Sequence, residues 1–156
     1  MFLERDVFRQ VVASTPLVSV DLIVKDSHGH VLLGQRLNRP AQGYWFVPGG
    51  RIYKNESLVQ AFKRLTLEEL GRELAYANAR LLGAFDHFYE DSVFGEFPST
   101  HYVALGFVIE PAELGHLPKT QHDEYVWVSV EELMHRADVH ANTKLYFKTD
   151  NEKQQR

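Results

Sequence analysis

Cysteine is absent from the 156-residue chain, which excludes disulfides, thiolate metal sites and cysteine nucleophiles. Basic residues are not in excess. Seventeen Lys and Arg face 21 Asp and Glu, a net charge of −4, so nothing here resembles the positive footprint that grips a long nucleic acid. No apolar run approaches the ~18 residues of a membrane span. The opening Met-Phe-Leu-Glu-Arg-Asp becomes charged too early for a signal peptide. Repeats, low-complexity tracts and linkers are also missing. These absences set the expectation of one domain over residues 1–156, cytoplasmic, with neither membrane nor nucleic acid as partner. A hydrophobic fraction of 44% is enough for one core.

The periodicity then divides the chain. Leu3, Val7 and Val11 fall four apart, the spacing of a short amphipathic helix over 3–13. From Leu17 to Lys25 the pattern alternates, with Val18, Val20, Leu22 and Val24 on one face and Ser19 and Asp21 on the other. That predicts a strand with one buried side and one side toward something polar. Asp26-Ser-His-Gly29 predicts a turn, with residues 30–36 as the hairpin partner. Tyr44-Trp-Phe-Val47 reads as a short strand stopped by Pro48-Gly-Gly50. Between Asn55 or Ser57 and Leu70 the period becomes helical, with Leu58, Phe62 and Leu65 as the buried stripe and Gly71 as the stop. Strands are expected near 80–89, 101–109 and 124–128. Ser129-Val-Glu-Glu132 has the spacing to open a helix ending near Arg136, and a further short helix is expected over 142–149. Strands with helices after and between them predict an α+β fold.

Chemistry concentrates in residues 49–71, where a glycine turn leads to Glu56 and a helix carries Arg64, Glu68 and Glu69. Arg64 and Glu68 share a helix face, and Glu69 sits about 100° round from Glu68. Carboxylates held beside a glycine turn suit Mg²⁺ or Mn²⁺, which take oxygen ligands and keep waters or phosphate oxygens besides. Two adjacent glutamates alone would read as a solvated, salt-bridged helix face. In register with Gly50, Glu56, Arg64 and Gly71 they carry a more specific signal.

That register resembles the Nudix box, G-x5-E-x7-R-E-U-x-E-E-x-G-U, where U is a bulky aliphatic residue. Leu65 stands where the box has a glutamate, and Arg72 also departs from it. The resemblance implies a Nudix-type α/β/α sandwich with a mixed central sheet, and cation-assisted hydrolysis of a nucleoside diphosphate linked to another group. Losing the glutamate at 65 removes a ligand used when several cations support attack at phosphorus, and implies fewer metals.

Beyond the box, residues 39–51, Arg64-Leu-Thr66, Thr100-His-Tyr102, Gln121-His-Asp123 and the opening 14–21 are similar to the GDP-mannose-hydrolysing subgroup of that family. This similarity runs over roughly residues 1–147, and the subgroup also lacks the glutamate at Leu65. It implies hydrolysis of GDP-mannose, and of GDP-glucose, to GDP and free sugar by water attack at the anomeric carbon with inversion. It also implies one Mg²⁺ per active site and a homodimer. By position it implies metal ligation by the Gly49 carbonyl, Glu69 and Gln121, with His122 as general base. Arg36, Arg51, Arg64 and Tyr102 would contact the diphosphate, and Asp21 would face the sugar. Phe2 and Phe8 would lie at the substrate or dimer contact. The residue chemistry agrees: expelling GDP demands cationic stabilisation of the β-phosphate, and a histidine near neutrality suits deprotonation of a water.

Each residue also has a plain structural reading. His122 alone would be a solvated histidine, and Arg36 and Arg51 solvated arginines beside loops. Asp21 alone would be an outward strand residue answering a lysine. His87 and His101, near aromatics on strands, read as packed or hydrogen-bonded histidines. Tyr102 and Trp127 read as core, although Trp127 offers a ring that could stack on guanine. Two rival functions follow. One is a Nudix pyrophosphohydrolase cleaving between phosphates of another nucleoside diphosphate derivative. The other is a catalytically silent nucleotide-binding module.

Overall fold

Alternation along three strands builds the domain. In the computed structural model, which describes residues 2–110, 114–115, 117–118 and 122–148 (the side chains of 122 and 123 excepted), Leu22, Leu32 and Phe107 point to one core cluster. Their chain neighbours Ile23, Leu33 and Val108 point to another. Because successive strand residues face opposite ways, a strand apolar on both faces must be covered on both. Helices supply the cover. Phe62, Leu65 and Leu70 close the first cluster, and Leu133 and Tyr146 close the second.

The elements run α1 (Arg5–Ser14), β1 (Leu17–Val24), β2 (Val31–Arg36), β3 (Trp45–Phe46), β4 (Gly49–Arg51), α2 (Leu58–Leu70), β5 (Ala79–Tyr89), β6 (Thr100–Ile109), β7 (His122–Val128), α3 (Val130–His135) and α4 (Ala141–Lys144). Single 3₁₀ turns cover Tyr76–Asn78 and Leu145–Phe147. One sheet has the order β4-β1-β6-β5, with β1 and β6 parallel and the outer pairs antiparallel. A second, antiparallel sheet has the order β3-β2-β7. The mixed sheet and flanking helices agree with the expected sandwich.

Several expectations change in detail. On β1, Val20, Leu22 and Val24 are buried as expected and Asp21 on the other face stays partly open, but Ile23 on that face is fully buried and Val18 is exposed. The turn at 26–29 forms as expected, with Asp26 Oδ1 accepting the His28 and His30 amides and Gly29 at φ 78°. The two strands it joins nevertheless diverge after the Lys25–Val31 bridge, and β2 enters the other sheet. On α1, Val12 is buried and Val7 is exposed, so the inward face is that of Phe8 and Val12, not the stripe of Leu3, Val7 and Val11. Leu58, the first residue of α2, lies at the open end of its stripe and is exposed. Trp127 is 38% exposed, because β7 is the edge of its sheet.

The α2 boundaries follow from capping chemistry. Ser57 Oγ accepts the Gln60 amide and Gln60 Oε1 accepts the Ser57 amide, satisfying two donors that no helical carbonyl reaches. At the other end Gly71 takes the left-handed conformation at φ 75° and donates to the Leu67 carbonyl. Ser129 caps α3 through the Glu132 amide.

Candidate active site

Residues directly opposite in a sheet share a face. On the four-stranded sheet, Ser19 pairs with Arg51 and Ala104, Asp21 with Gly49 and Gly106, and His87 with Tyr102. Ser19, Asp21, Gly49, Arg51, His87, Tyr89 and Tyr102 all line one pocket of about 430 Å³ on that face. Arg36 at the end of β2, with Phe46 and Val47, forms another wall, and Arg64, Leu65, Glu68 and Glu69 reach it from α2. Of the residues expected at one site, Asp21, Arg36, Gly49, Arg51, Arg64, Glu69 and Tyr102 line this pocket.

Gly49 and Gly50, expected in a turn, are strand residues of β4 paired with β1, and they divide their labour by the same alternation. A side-chain carbon on Gly49 would collide with Asp21 Oδ1 and the Val20 carbonyl. One on Gly50 would stand 2.6 Å from Leu65 Cδ2. Gly49 therefore faces the pocket and Gly50 faces α2, and only hydrogen fits at either.

Arg64 has a clear structural task. Its Nε and one Nη donate to both Glu56 oxygens at 2.7 and 2.9 Å, the same Nη reaches the Arg51 carbonyl at 2.8 Å, and the other Nη reaches Glu68 at 3.0 Å. Its guanidinium also lies 3.8 Å from the centre of the Tyr53 ring. Glu56 in turn accepts the Tyr53 amide. This clamp ties the loop 51–57 to the helix, and Arg64 holds the Glu56 carboxyl below its ordinary range. Most of Arg64's donors are thus committed inside the protein, which places it as a brace at the pocket edge rather than as a hand extended to a diphosphate.

Arg36 and Arg51 are held differently. Among the described residues no carboxylate lies at ion-pair distance from either. The Arg51 guanidinium lies 4.8 Å from the Phe8 ring and 5.0 Å from the Tyr53 ring. Arg36 lies 5.7 Å from Phe46 and donates from Nε to the Asn38 carbonyl at 3.3 Å. Aromatic faces orient a guanidinium without neutralising it. Both cations therefore remain available to an anion. Phe8, expected at a substrate or dimer contact, lines the pocket while packing on Arg51 and Phe94 of its own chain, and Phe2, 97% exposed, lines it too.

The acidic side is Glu69 and Asp21. Glu69 is buried, unlike Glu68, which is exposed and paired with Arg64. Burial raises the Asp21 carboxyl to about 7, helped by the charge of Glu69 and opposed by the Tyr146 hydrogen bond and Arg36. His87 Nδ1 lies 3.9 Å from Asp21 Oδ2. Burial also raises the Tyr102 phenol above its usual range. Among the described residues no three carboxylate or imidazole side chains gather as a metal cluster. The set expected from the sequence contains one such side chain, Glu69, together with a carbonyl and an amide. Buried Glu69 and partly buried Asp21, whose charges oppose each other beside a glycine that nothing but hydrogen can occupy, do fit a divalent cation.

Gln121 and the side chain of His122 lie outside the described residues. The main chain of His122 stands opposite Arg36 across the β2–β7 pairing. His101 is half-buried beside Asp86 at 3.4 Å and packs on Phe88, as its plain reading expected. His87 belongs to the pocket after all. So do Tyr89 and Tyr53, and Tyr146 touches Asp21 from the second core. The two-residue spacing of His87 and Tyr89 marks a common face, but which strand lies beside them is not written in that spacing.

A sandwich of this topology, with Arg64, Glu68 and Glu69 of one helix at the same pocket as Gly49 and Gly50, defines a class of hydrolase. The chain belongs to the NUDIX family: the NUDIX domain matches residues 15–148. It is 43% identical over 119 residues to the low-salt glycan biosynthesis protein Agl8 of Haloferax volcanii, covering 76% of this chain and 74% of that protein. It is 31% identical over 88 residues to the 8-oxo-dGTP diphosphatase of Proteus vulgaris, covering 56% of this chain and 70% of that protein. The crystal structure of a MutT protein from Methanosarcina mazei superposes with a TM-score of 0.70 at 23% identity, covering 92% of this chain and 99% of that one.

Proposed function

We propose that this Nudix hydrolase splits GDP-mannose, and GDP-glucose, into GDP and free sugar by attack of water at the anomeric carbon. The water oxygen bonds to C1 from the face opposite the diphosphate, its proton passes to His122, and the C1–O bond breaks with its electron pair leaving on GDP. The configuration at C1 inverts. Arg36 and Arg51 meet the negative charge that grows on the β-phosphate, and the Tyr102 hydroxyl adds a donor. Asp21 faces the positive charge that develops on the sugar ring. Arg64 keeps the loop carrying Arg51 in place.

Nudix hydrolases generally use divalent metals such as Mg²⁺. The Gly49 carbonyl, Glu69 and Gln121 would hold one, and when bound it would neutralise charge on the diphosphate.

The observation that carries this reading is Leu65. At the box position of a metal-binding glutamate, the chain has a side chain 2% exposed and pressed on Gly50, so this part of the site has no carboxylate to gather further cations around phosphorus. The glycan-biosynthesis name of the Haloferax relative is compatible with a sugar nucleotide. The diphosphatase name of the Proteus relative favours the second reading, cleavage between phosphates.

Hydrolysis in ¹⁸O-labelled water separates the two. Label in the sugar, with GDP as the nucleotide product, is the expected result. Label in a phosphate, with GMP released, would overturn it.

A further inference from the structure

We propose that Tyr146 is a positioning residue, which holds the Asp21 carboxylate at the sugar end of the pocket through its hydroxyl. The inference rests on the role given to Asp21 above.

Asp21 lies between two glycines, Gly49 on one neighbouring strand and Gly106 on the other. Each absent side chain makes room for one part of a single arrangement. A carbon on Gly49 would strike Asp21 Oδ1. A carbon on Gly106 would stand 2.6 Å from Tyr146 Cε1 and 3.0 Å from Cδ1. The Tyr146 ring therefore crosses over the bare backbone of Gly106, and its hydroxyl donates to Asp21 Oδ2 at 2.6 Å. Phe85 holds the ring edge-on at 4.8 Å, and His87 stands 5.5 Å away.

Tyr146 is only 4% exposed, so bulk water does not compete freely for this bond. A short hydrogen bond to a carboxylate is also strongly directional. With Oδ2 fixed by Tyr146, Oδ1 is fixed against Gly49, and the carboxylate plane cannot turn within the pocket. Packing and hydrogen bonding are separable here, because phenylalanine fills the ring's space without the hydroxyl. Losing the hydroxyl frees the carboxylate to rotate away from the developing charge on the sugar. That loss falls on the transition state and leaves the diphosphate contacts of the ground state in place.

The test compares kcat, KM and thermal midpoint for the parent, Tyr146→Phe, Asp21→Asn and the double variant, with GDP-mannose. The expected result is a kcat for Tyr146→Phe about tenfold below the parent, with KM within about twofold. The double variant should turn over at the rate of Asp21→Asn alone, since the hydroxyl acts only through that carboxylate. A kcat for Tyr146→Phe within about twofold of the parent overturns the inference. So does an undiminished Tyr146→Phe effect in the Asp21→Asn background, or an Asp21→Asn variant as fast as the parent. If Tyr146→Phe does not fold, replacement of Tyr146 by 3-fluorotyrosine keeps ring and hydroxyl while strengthening the donor. A changed kcat at constant KM then supports the inference, and an unchanged kcat overturns it. The product assay on the parent alone, GDP against GMP, tests the proposed function independently of every Tyr146 variant.

Discussion

Gly50 and Leu65 share one space: the position of a side-chain carbon on Gly50 lies 2.6 Å from Leu65 Cδ2. The contact links β4 to α2 and decides how the helix presents Glu69, one turn further on. Because Leu65 is fully within the core, the site's chemistry and the fold's packing meet at this pair. Gly50→Ala should cost about 1–3 kcal/mol through overpacking, and Leu65→Ala about 2–5 kcal/mol through the cavity it leaves. Made together, the two should cost clearly less than their sum, because the smaller residue admits the added methyl. Urea denaturation of the four proteins measures this. Strict additivity would show that the two residues do not touch.

Arg64 bridges loop and helix through a two-pronged pair with Glu56. Lysine cannot reproduce that fork, so Arg64→Lys should destabilise by about 1–2 kcal/mol, and Arg64→Ala by more. Glu56 has a lowered pKa in the fold, so the unfolded chain binds its proton first. Its contribution is present above the unfolded value of 4.5 and is lost as the pH falls below it. Denaturation midpoints between pH 3 and 6 should therefore fall less steeply for Arg64→Lys than for the parent. Parallel curves would argue against the clamp.

His140 is stacked on Phe46 with ring centres 4.8 Å apart, and its Nδ1 accepts the Asn142 amide. Burial and the charge of Arg36 lower its pKa to about 4 from 6.5. Between those values the unfolded chain binds a proton that the fold refuses, so the His140 contribution to stability declines as the pH drops from 6.5 to 4, while Asp21, raised to about 7, acts in the opposite direction. His140→Asn keeps a capping acceptor and removes the titration. Its stability should decline less as the pH drops across that window. An unchanged slope would mean that another group is responsible.

His122 is placed by its main chain opposite Arg36, beside the pocket. As general base its loss should lower kcat on the order of 10²–10⁴-fold. Steady-state rates of His122→Ala on GDP-mannose provide the check, and activity within about threefold of the parent would remove the assignment.

Glu69 is the buried glutamate of the helix and Glu68 the exposed one. Glu69→Gln should raise the Mg²⁺ concentration needed for half-maximal rate at least tenfold, while Glu68→Gln should leave it nearly unchanged. Titration of activity with Mg²⁺ distinguishes them. Equal responses in the two variants would contradict the ligand set.

Much of this was legible in the chain. Asn55 or Ser57 at the start and Gly71 at the end announce α2 because capping is local chemistry, settled within four residues. Arg64 and Glu68 share a face because helix geometry requires it. The roles within that cluster were less open to reading: whether Arg64 turns to Glu56 or to a ligand depends on where the loop before the helix goes. For the same reason the 26–29 turn was readable and the fate of its two strands was not.

By itself, the amino-acid order determined the Nudix-box segment, the absence of thiol chemistry, and the helices and strands with strong periodicity. All of these depend on residues close along the chain. Only the tertiary structure decided that His87, Tyr102 and Asp21 face one pocket, that aromatic rings hold Arg36 and Arg51, and that Tyr146 reaches Asp21 across 125 positions. Strand order and sheet register set those contacts, and they arise from burying two apolar faces at once, a property that no short window of sequence contains.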